Sequence, residues 1–448
     1  METKTQDEKT LLLRRKLHLL LRTGQLLIES AANTNRVDRN MKRVAEFLGI
    51  PEEKLHIDIR WTMLIVNVSD ESHSFSKFQK CQKHGVNMST ITEISRLSWR
   101  AIEQDYSLDR FEEELESIAS RPRNFKPYLV AICAGFACGG FCKLFGCDWI
   151  GFILASLCAF AGFRTRAHCF DFGINHYMSM AISAFVATSL AYLTSLTGLS
   201  ETPYHPLLAC SLFLVPGVPL INFVDDMIDN YLLMGMTRAS NCIMIIGAMT
   251  FGITMAIALS GLNDISIDQK FSELSMVPHD GYLIYAIAAA IAAVGFSMIF
   301  NVPRHVLWVI ALGGVIAVCT RNFFNFELGC GPVIGSFLGS MAVSLISIKA
   351  VHWFHVPNNV LTIPSVIPMI PGVLLYRFAL GLLNVSKETM SASSTLTNGV
   401  NAALIILGIS IGVAIPNIFA RRYIARDRRA RLERMLEERR KRGVFLEW

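Results

Sequence analysis

The chain has 448 residues, 52% hydrophobic and 17% charged, with a mean hydropathy of +0.41. That is an integral membrane composition. The basic balance (42 Lys and Arg against 36 Asp and Glu) comes mainly from the two ends, and no interleaving of basic and aromatic residues points to nucleic acid.

Residues 1–125 read as a soluble α/β domain. Leu13, Leu17, Leu20, Gly24, Leu27 and Ile28 share a helical face. Leu17 to Leu21 is too short for a leader and is flanked by Arg14, Arg15 and Arg22, so no cleaved signal peptide is expected. A second helix starts near Asn33 to Asn35, carries Val37, Met41, Val44 and Leu48, and ends at Gly49 before Pro51. Leu55, Ile57, Ile59 and Trp61 alternate with polar residues, which is strand spacing. Thr62 to Val68 and Phe75 to Cys81 would complete a small antiparallel sheet. Helices over about 88–105 and 107–120 follow.

Ten apolar runs of membrane-spanning length come next, roughly 127–146, 148–163, 176–197, 205–224, 239–260, 281–300, 303–320, 332–350, 357–376 and 397–419. The segment 421–448 is rich in Arg, with Glu433, Glu437 and Glu438 interleaved, and suggests a basic cytosolic surface helix. Arg121, Arg123 and Lys126 before the first run and the Arg-rich tail after the last place both termini in the cytoplasm, which requires an even number of spans. The internal loops do not decide. Arg164, Arg166, Arg238, Arg304 and Lys349 would lie inside; Lys143, Lys270, Arg321, Arg377 and Lys387 would lie outside.

Pro216-Gly217-Val218 and Pro371-Gly372-Val373 are one motif written twice, 371 − 216 = 155 residues apart. The same offset pairs Phe145 with Phe300, Arg166 with Arg321 and Leu220 with Leu375, and brings Lys126 opposite Gly281, the starts of the first and sixth runs. Two five-span units of odd span number enter the bilayer from opposite sides. The expected fold is an all-α polytopic membrane protein of ten spans in two inverted five-span repeats, with the N-terminal α/β domain in the cytosol. Expected boundaries are 1–125, 126–262, 281–420 and 421–448.

The candidate chemistry lies at the breaks. Each proline removes an amide donor, and unwound backbone at membrane depth implies a cavity lining; a silent kink is the alternative. Past the first break, Asn222, Asp225, Asp226 and Asp229 share a helical face. A carboxylate in or near the bilayer marks an ion or proton path, the alternative being a loop just outside the membrane. The second unit has no acid there, and Arg377 is the offset partner of Asn222. Arg166 and Arg321 are either anion contacts or gates, or interfacial anchors that snorkel. The eleven Cys match no zinc spacing, and neither metal nor cofactor is expected. Gly135/Gly139, Gly335/Gly339 and Gly408/Gly412 read as helix-packing positions. No nucleotide-binding loop suggests a primary pump.

The segments LLIESAANTNRVD (26–38), LVPGVPLINFVDD (214–226) and MIPGVLLYR (369–377) resemble the threonine/serine exporter family, and the resemblance covers nearly the whole chain. In some relatives the two halves are separate chains, and this sequence resembles their fusion. The resemblance implies proton-driven export of threonine and serine or, as in some relatives, of dicarboxylates such as succinate. It sets the family acid on Asp226 and the family Asn on Asn222, and departs from the family pattern at Asn230-Tyr231. The expected protein is therefore a multi-pass inner-membrane transporter whose partners are a small-molecule substrate, protons and lipid, with homo-oligomerisation left open. Pro216, Gly217, Asn222, Pro371, Gly372 and Arg377 would bind substrate, and Asp226 with Asp225 would carry the coupling proton. The competing class is a membrane-anchored enzyme or sensor acting through the N-terminal domain, although no nucleophile–base pair stands in it.

Overall fold

The computed structural model describes residues 2–69, 74–260, 281–384 and 392–441. The N-terminal segment comprises helices α1 (Glu2–Glu29) and α2 (Thr34–Phe47), strands β1 (Leu55–Ile59), β2 (Met63–Ser69) and β3 (Ser74–Lys80), then α3 (Met88–Glu103) and α4 (Leu108–Ser120). The strands form an antiparallel meander in which Val66 pairs with Ile57 on one side and Lys77 on the other. Alternation puts Leu64, Val66 and Val68 on one buried face. The backbone of α1 comes close enough at Gly24 that a Cβ there would meet the side chains of Leu64 and Met41. Asn87 and Ser107 cap α3 and α4 by accepting from the amides of Thr90 and Arg110.

This segment is bonded to the helical bundle. The amides of Met88 and Ser89 donate to the carbonyls of Phe300 and Asn301, and the amide of Asn124 donates to Asn301 Oδ1. Arg96 donates to the carbonyls of Phe354 and His355. These contacts define a near side of the bundle, the side facing the N-terminal segment.

The bundle begins with α5 (Pro127–Leu144), α6 (Trp149–Asp171), α7 (His176–Ser195) and α8 (His205–Ala209), followed by α9 (Gly217–Ile228) and α10 (Leu232–Leu259). It continues with α11 (Tyr282–Ile299), α12 (Leu307–Asn322) and α13 (Gly331–Phe354), then α14 (Asn358–Val366), α15 (Gly372–Asn384) and α16 (Ala392–Lys441). Among the described residues eight helices are long and apolar enough to cross a membrane, or ten if each of two bent pairs is one span. The bent pairs are His205–Leu214 with Gly217–Ile228 and Asn358–Met369 with Gly372–Ala379, each broken by 58°. Exposed Leu, Ile, Phe and Met cover the outer faces, as a lipid environment demands. The protein is thus a mostly helical, multi-pass membrane protein, with a small three-stranded sheet among the described residues.

Three sequence expectations change. Arg164 and Arg166 are on the last turns of α6, and Arg238 is in the second turn of α10 rather than a loop, because both helices run past their apolar stretches. The segment after residue 420 is not a separate element: α16 continues through Pro416 to Lys441 without interruption. Lys270 and Lys387 lie outside the described residues. The glycine pairs pack closely: a Cβ on Gly135, Gly339 or Gly412 would meet a carbonyl oxygen of a neighbouring helix at 2.5 Å.

Candidate transport site

The two breaks are built alike. Each has a short 3₁₀ turn, Leu212–Leu214 or Ile367–Met369, then Pro-Gly, then the next helix. The proline cannot donate, and the glycine amide turns back to the carbonyl two residues earlier: Gly217 N to Val215 O and Gly372 N to Ile370 O, both 2.8 Å. In this conformation both glycine N–H groups are therefore engaged.

The breaks also face each other. A Cβ on Gly217 would meet Ile367 and Ile370 at 2.6 and 2.7 Å, and one on Gly372 would meet Leu212 at 2.7 Å and Val215 at 3.5 Å. Adding 155 to Leu212, Val215 and Gly217 gives Ile367, Ile370 and Gly372, so each contact is the reciprocal of the other. Phe141 and Phe296, also 155 apart, meet edge to face with ring centroids 5.6 Å apart. These four pairs enclose an apolar cavity of about 10 Å³, room for one water at most.

The same reciprocity holds between α5 and α11. A Cβ on Gly140 would strike Ala288 and Ala292, and one on Gly295 would strike Cys133 and Ala137, again residues 155 apart.

Beyond the breaks the two helices diverge in direction. α9 ends on the near side, where Asp225 and Asp226 touch the N-terminal segment. α14 starts on the near side, just after the Phe354 and His355 carbonyls that Arg96 holds, so α15 and Arg377 lie past the break toward the far side. Asn222 and Arg377 therefore do not converge. Arg166 is stacked near Phe163 and Phe170 at the near-side end of α6. Arg321, at the opposite end of the bundle on α12, donates from Nε and Nη2 to Asn322 Oδ1.

The structure does bring together Asn222, Asp225 and Asp226, which are 1%, 5% and 1% exposed. What covers them is the turn between α1 and α2. Ala31 O accepts from Asn222 Nδ2 (2.9 Å), Asn33 Nδ2 donates to Asp225 Oδ2 (3.2 Å), and the Thr34 amide donates to Asp226 Oδ1 (2.8 Å). Asn33 is at the N-cap position of α2 but makes no side-chain cap bond; the Asp226 carboxylate receives an N-terminal amide of that helix instead.

Arg238 completes the cluster. Its Nε lies 2.9 Å from Asp226 Oδ2, with both side chains 1% exposed, and its Nη2 donates to Ala32 O (2.6 Å). Its guanidinium lies 5.5 Å from the Trp61 ring centre at the β1–β2 turn, and Trp61 stacks on His84 at 4.0 Å. Burial pushes the His84 imidazole below its ordinary value and the Cys81 thiol up to about 12. No group of three or more His, Cys, Asp and Glu side chains suited to a metal stands together among the described residues.

Sequence reasoning missed Arg238 and the 31–34 turn. A lone Arg entering an otherwise apolar helix twelve residues after Asp226 was the available signal. The turn lay within one of the segments that carried the family resemblance, but it was read only as a helix start.

A many-helix membrane protein with paired broken helices is a transporter architecture, and the comparisons agree. Residues 18–260 match the threonine/serine exporter family ThrE, and residues 285–419 match ThrE_2, described as "Threonine/Serine exporter, ThrE". The chain belongs to the threonine/serine exporter family, a family of transporters rather than enzymes. It is 26% identical over 245 residues to the "Probable succinate transporter subunit YjjP" of Escherichia coli (strain K12), covering 54% of this chain and 94% of that protein. The protein of the same name from Klebsiella aerogenes is 25% identical over 245 residues, covering 54% and 93%. No solved structure matches.

Proposed function

We propose that this chain is a proton-coupled secondary transporter of the inner membrane that exports threonine and serine. The observation that carries the reading is the reciprocal approach of the two Pro-Gly breaks, Gly217 against Ile367 and Ile370, Gly372 against Leu212 and Val215. Contacts that interchange under one sequence offset are what a two-fold relation between halves produces. They support two inverted five-span units, 126–262 and 281–420, rocking on each other about a shared passage. The soluble unit 1–125 and the tail 421–448 then share the cytoplasmic side.

The passage is shut in this conformation, since about 10 Å³ admits no amino acid. Opening it would separate Pro216-Gly217 from Pro371-Gly372, and each glycine amide would then exchange its own local carbonyl, Val215 O or Ile370 O, for a substrate carboxylate. Arg377 and Arg321 would meet substrate toward the far side, Asn222 and Arg166 toward the near side. Asp226, with Asp225 beside it, would carry the coupling proton, because a buried carboxylate against a guanidinium changes partner when it is protonated.

A second reading has a specific observation behind it. The matched relatives are named succinate transporter subunits, and this one chain would unite what they divide between subunits, so a C4-dicarboxylate is the alternative cargo.

Reconstituted proteoliposomes decide between them. Threonine and serine should show saturable counterflow and accumulate against an imposed pH gradient; succinate accumulating instead would favour the second reading. Flux of neither would sink both. Asp226→Asn should lose gradient-driven accumulation. Full accumulation in that variant would move the proton elsewhere.

A further inference from the structure

The turn that covers the acidic helix bonds to it with backbone atoms in a particular pattern. Two carbonyl oxygens, of Ala31 and Ala32, are held by Asn222 Nδ2 and Arg238 Nη2; one N–H, of Thr34, is held by Asp226 Oδ1. A free α-amino acid offers the same set: two carboxylate oxygens and an N–H donor on one carbon. Asp226 and Arg238 are side by side, 2.9 Å apart, so a molecule with ammonium and carboxylate on a single carbon reaches both at once. We propose that the 31–34 turn is a pseudo-substrate that occupies an amino-acid site formed by Asn222, Asp226 and Arg238, and that threonine or serine binds there by displacing it.

Three further observations support displacement. The covered side chains retain unused hydrogen-bonding capacity: Arg238 Nη1 and Asn222 Oδ1 are buried without a hydrogen-bond partner among the described residues. Groups left that way are costly, and a small hydroxylated zwitterion can satisfy them where a main-chain turn does not. The turn is also held under strain, with Ala31 at φ +64°, a conformation that alanine adopts at a cost. Finally, each bond from the turn is one that a competing ligand can replace, so the site needs no preformed cavity. A dicarboxylate dianion has no donor for Asp226 Oδ1, so the pattern selects amino acids over succinate.

The inference rests on the transport reading, and the test separates them. Thr34 is the first residue of α2 and Asn33 before it is extended (φ −68°, ψ 152°), so Thr34→Pro removes the competing N–H at a position where proline is tolerated. In the full chain in lipid nanodiscs, threonine should bind Thr34→Pro roughly tenfold more tightly than the wild type. Asn33→Ala, which leaves α2 and the Asp226–Arg238 pair intact, should shift the Kd in the same direction by a smaller factor. Arg238→Lys should weaken binding by roughly tenfold or more. Hydrogen exchange should show threonine, and not succinate, exposing the amides of the turn. Unchanged or weaker threonine binding in both turn variants overturns the pseudo-substrate. So does wild type that binds no threonine, or succinate that exposes the turn equally. Threonine flux in wild-type proteoliposomes alongside such a result would leave the transport reading standing; absent flux of every substrate would remove that reading first.

Discussion

In the first broken helix the residues one to three turns past Gly217 are Asn222, Asp225 and Asp226, all buried and all bonded to the N-terminal segment. The same positions after Gly372 are Arg377, Leu380 and Gly381, on a helix that runs the other way. Yet at the bends the helices are interchangeable, down to the 2.8 Å glycine bond and the 58° angle. The shared part is apolar and concerns how the halves meet. The differing part is polar, and in the first copy it is bonded to the N-terminal segment. A motif written twice can keep its packing while its flanks diverge, because contact between the bends constrains both copies and chemistry beyond a bend constrains one.

The comparison breaks most visibly at Arg238. Arg238→Ala strands the Asp226 carboxylate in the interior and should cost about 3–5 kcal/mol of stability. The offset partner, Ser393, is exposed, and Ser393→Ala should be neutral within about 0.5 kcal/mol. Thermal unfolding in detergent checks both; equal effects would erase the asymmetry.

At the two bends the expectation reverses to symmetry. Gly217→Leu and Gly372→Leu each drive a side chain into residues already in contact and should cost about 1–3 kcal/mol apiece while abolishing flux. One variant transporting normally while the other is dead would show that the two breaks do not act as a pair.

The smallest effect sharpens the contrast between a buried ion pair and an exposed one. Arg22 hydrogen-bonds Glu116 and holds its carboxyl below the ordinary 4.5, with the Glu116 side chain 53% exposed. A depressed acid stabilises the fold above its ordinary value and loses that contribution as pH falls through the folded value. Solvent screening limits it to under about 1 kcal/mol. Arg22→Gln should therefore lower the melting temperature slightly at pH 7, by a gap that narrows as the pH is taken below 4.5. A gap that does not narrow would mean that Arg22 acts through packing instead.

Much of this is legible in the sequence alone. The alternation from Leu55 placed a strand that the structure ends at Ile59, and the returning strands fall within one residue of their expected positions. The two Pro-Gly copies announced both bends, because proline's missing amide forces a break wherever it sits. Asn222, Asp225 and Asp226 were legible as one face. Their partners were not. The turn 31–34 and Arg238 lie about 190 and 12 residues from Asp226, and no periodicity encodes a contact made by backbone carbonyls. Arg377 misled for a related reason. An offset in sequence identifies an equivalent position, and equivalent positions in helices running oppositely lie toward opposite ends of the bundle.

The seam between α5 and α11 is lined by Gly140, Ala288, Ala292, Gly295, Cys133 and Ala137. Most helix interfaces interlock, and turning one helix on the other requires long side chains to climb out of their slots. Here the closest approaches are between glycine, alanine and cysteine, and the one aromatic pair described above, Phe141 with Phe296, meets edge to face between the same two helices. Mechanically such a seam resembles a plain bearing more than a gear: small residues hold the two helices at close distance, and a single aromatic pair supplies the tooth that a change of angle would have to pass.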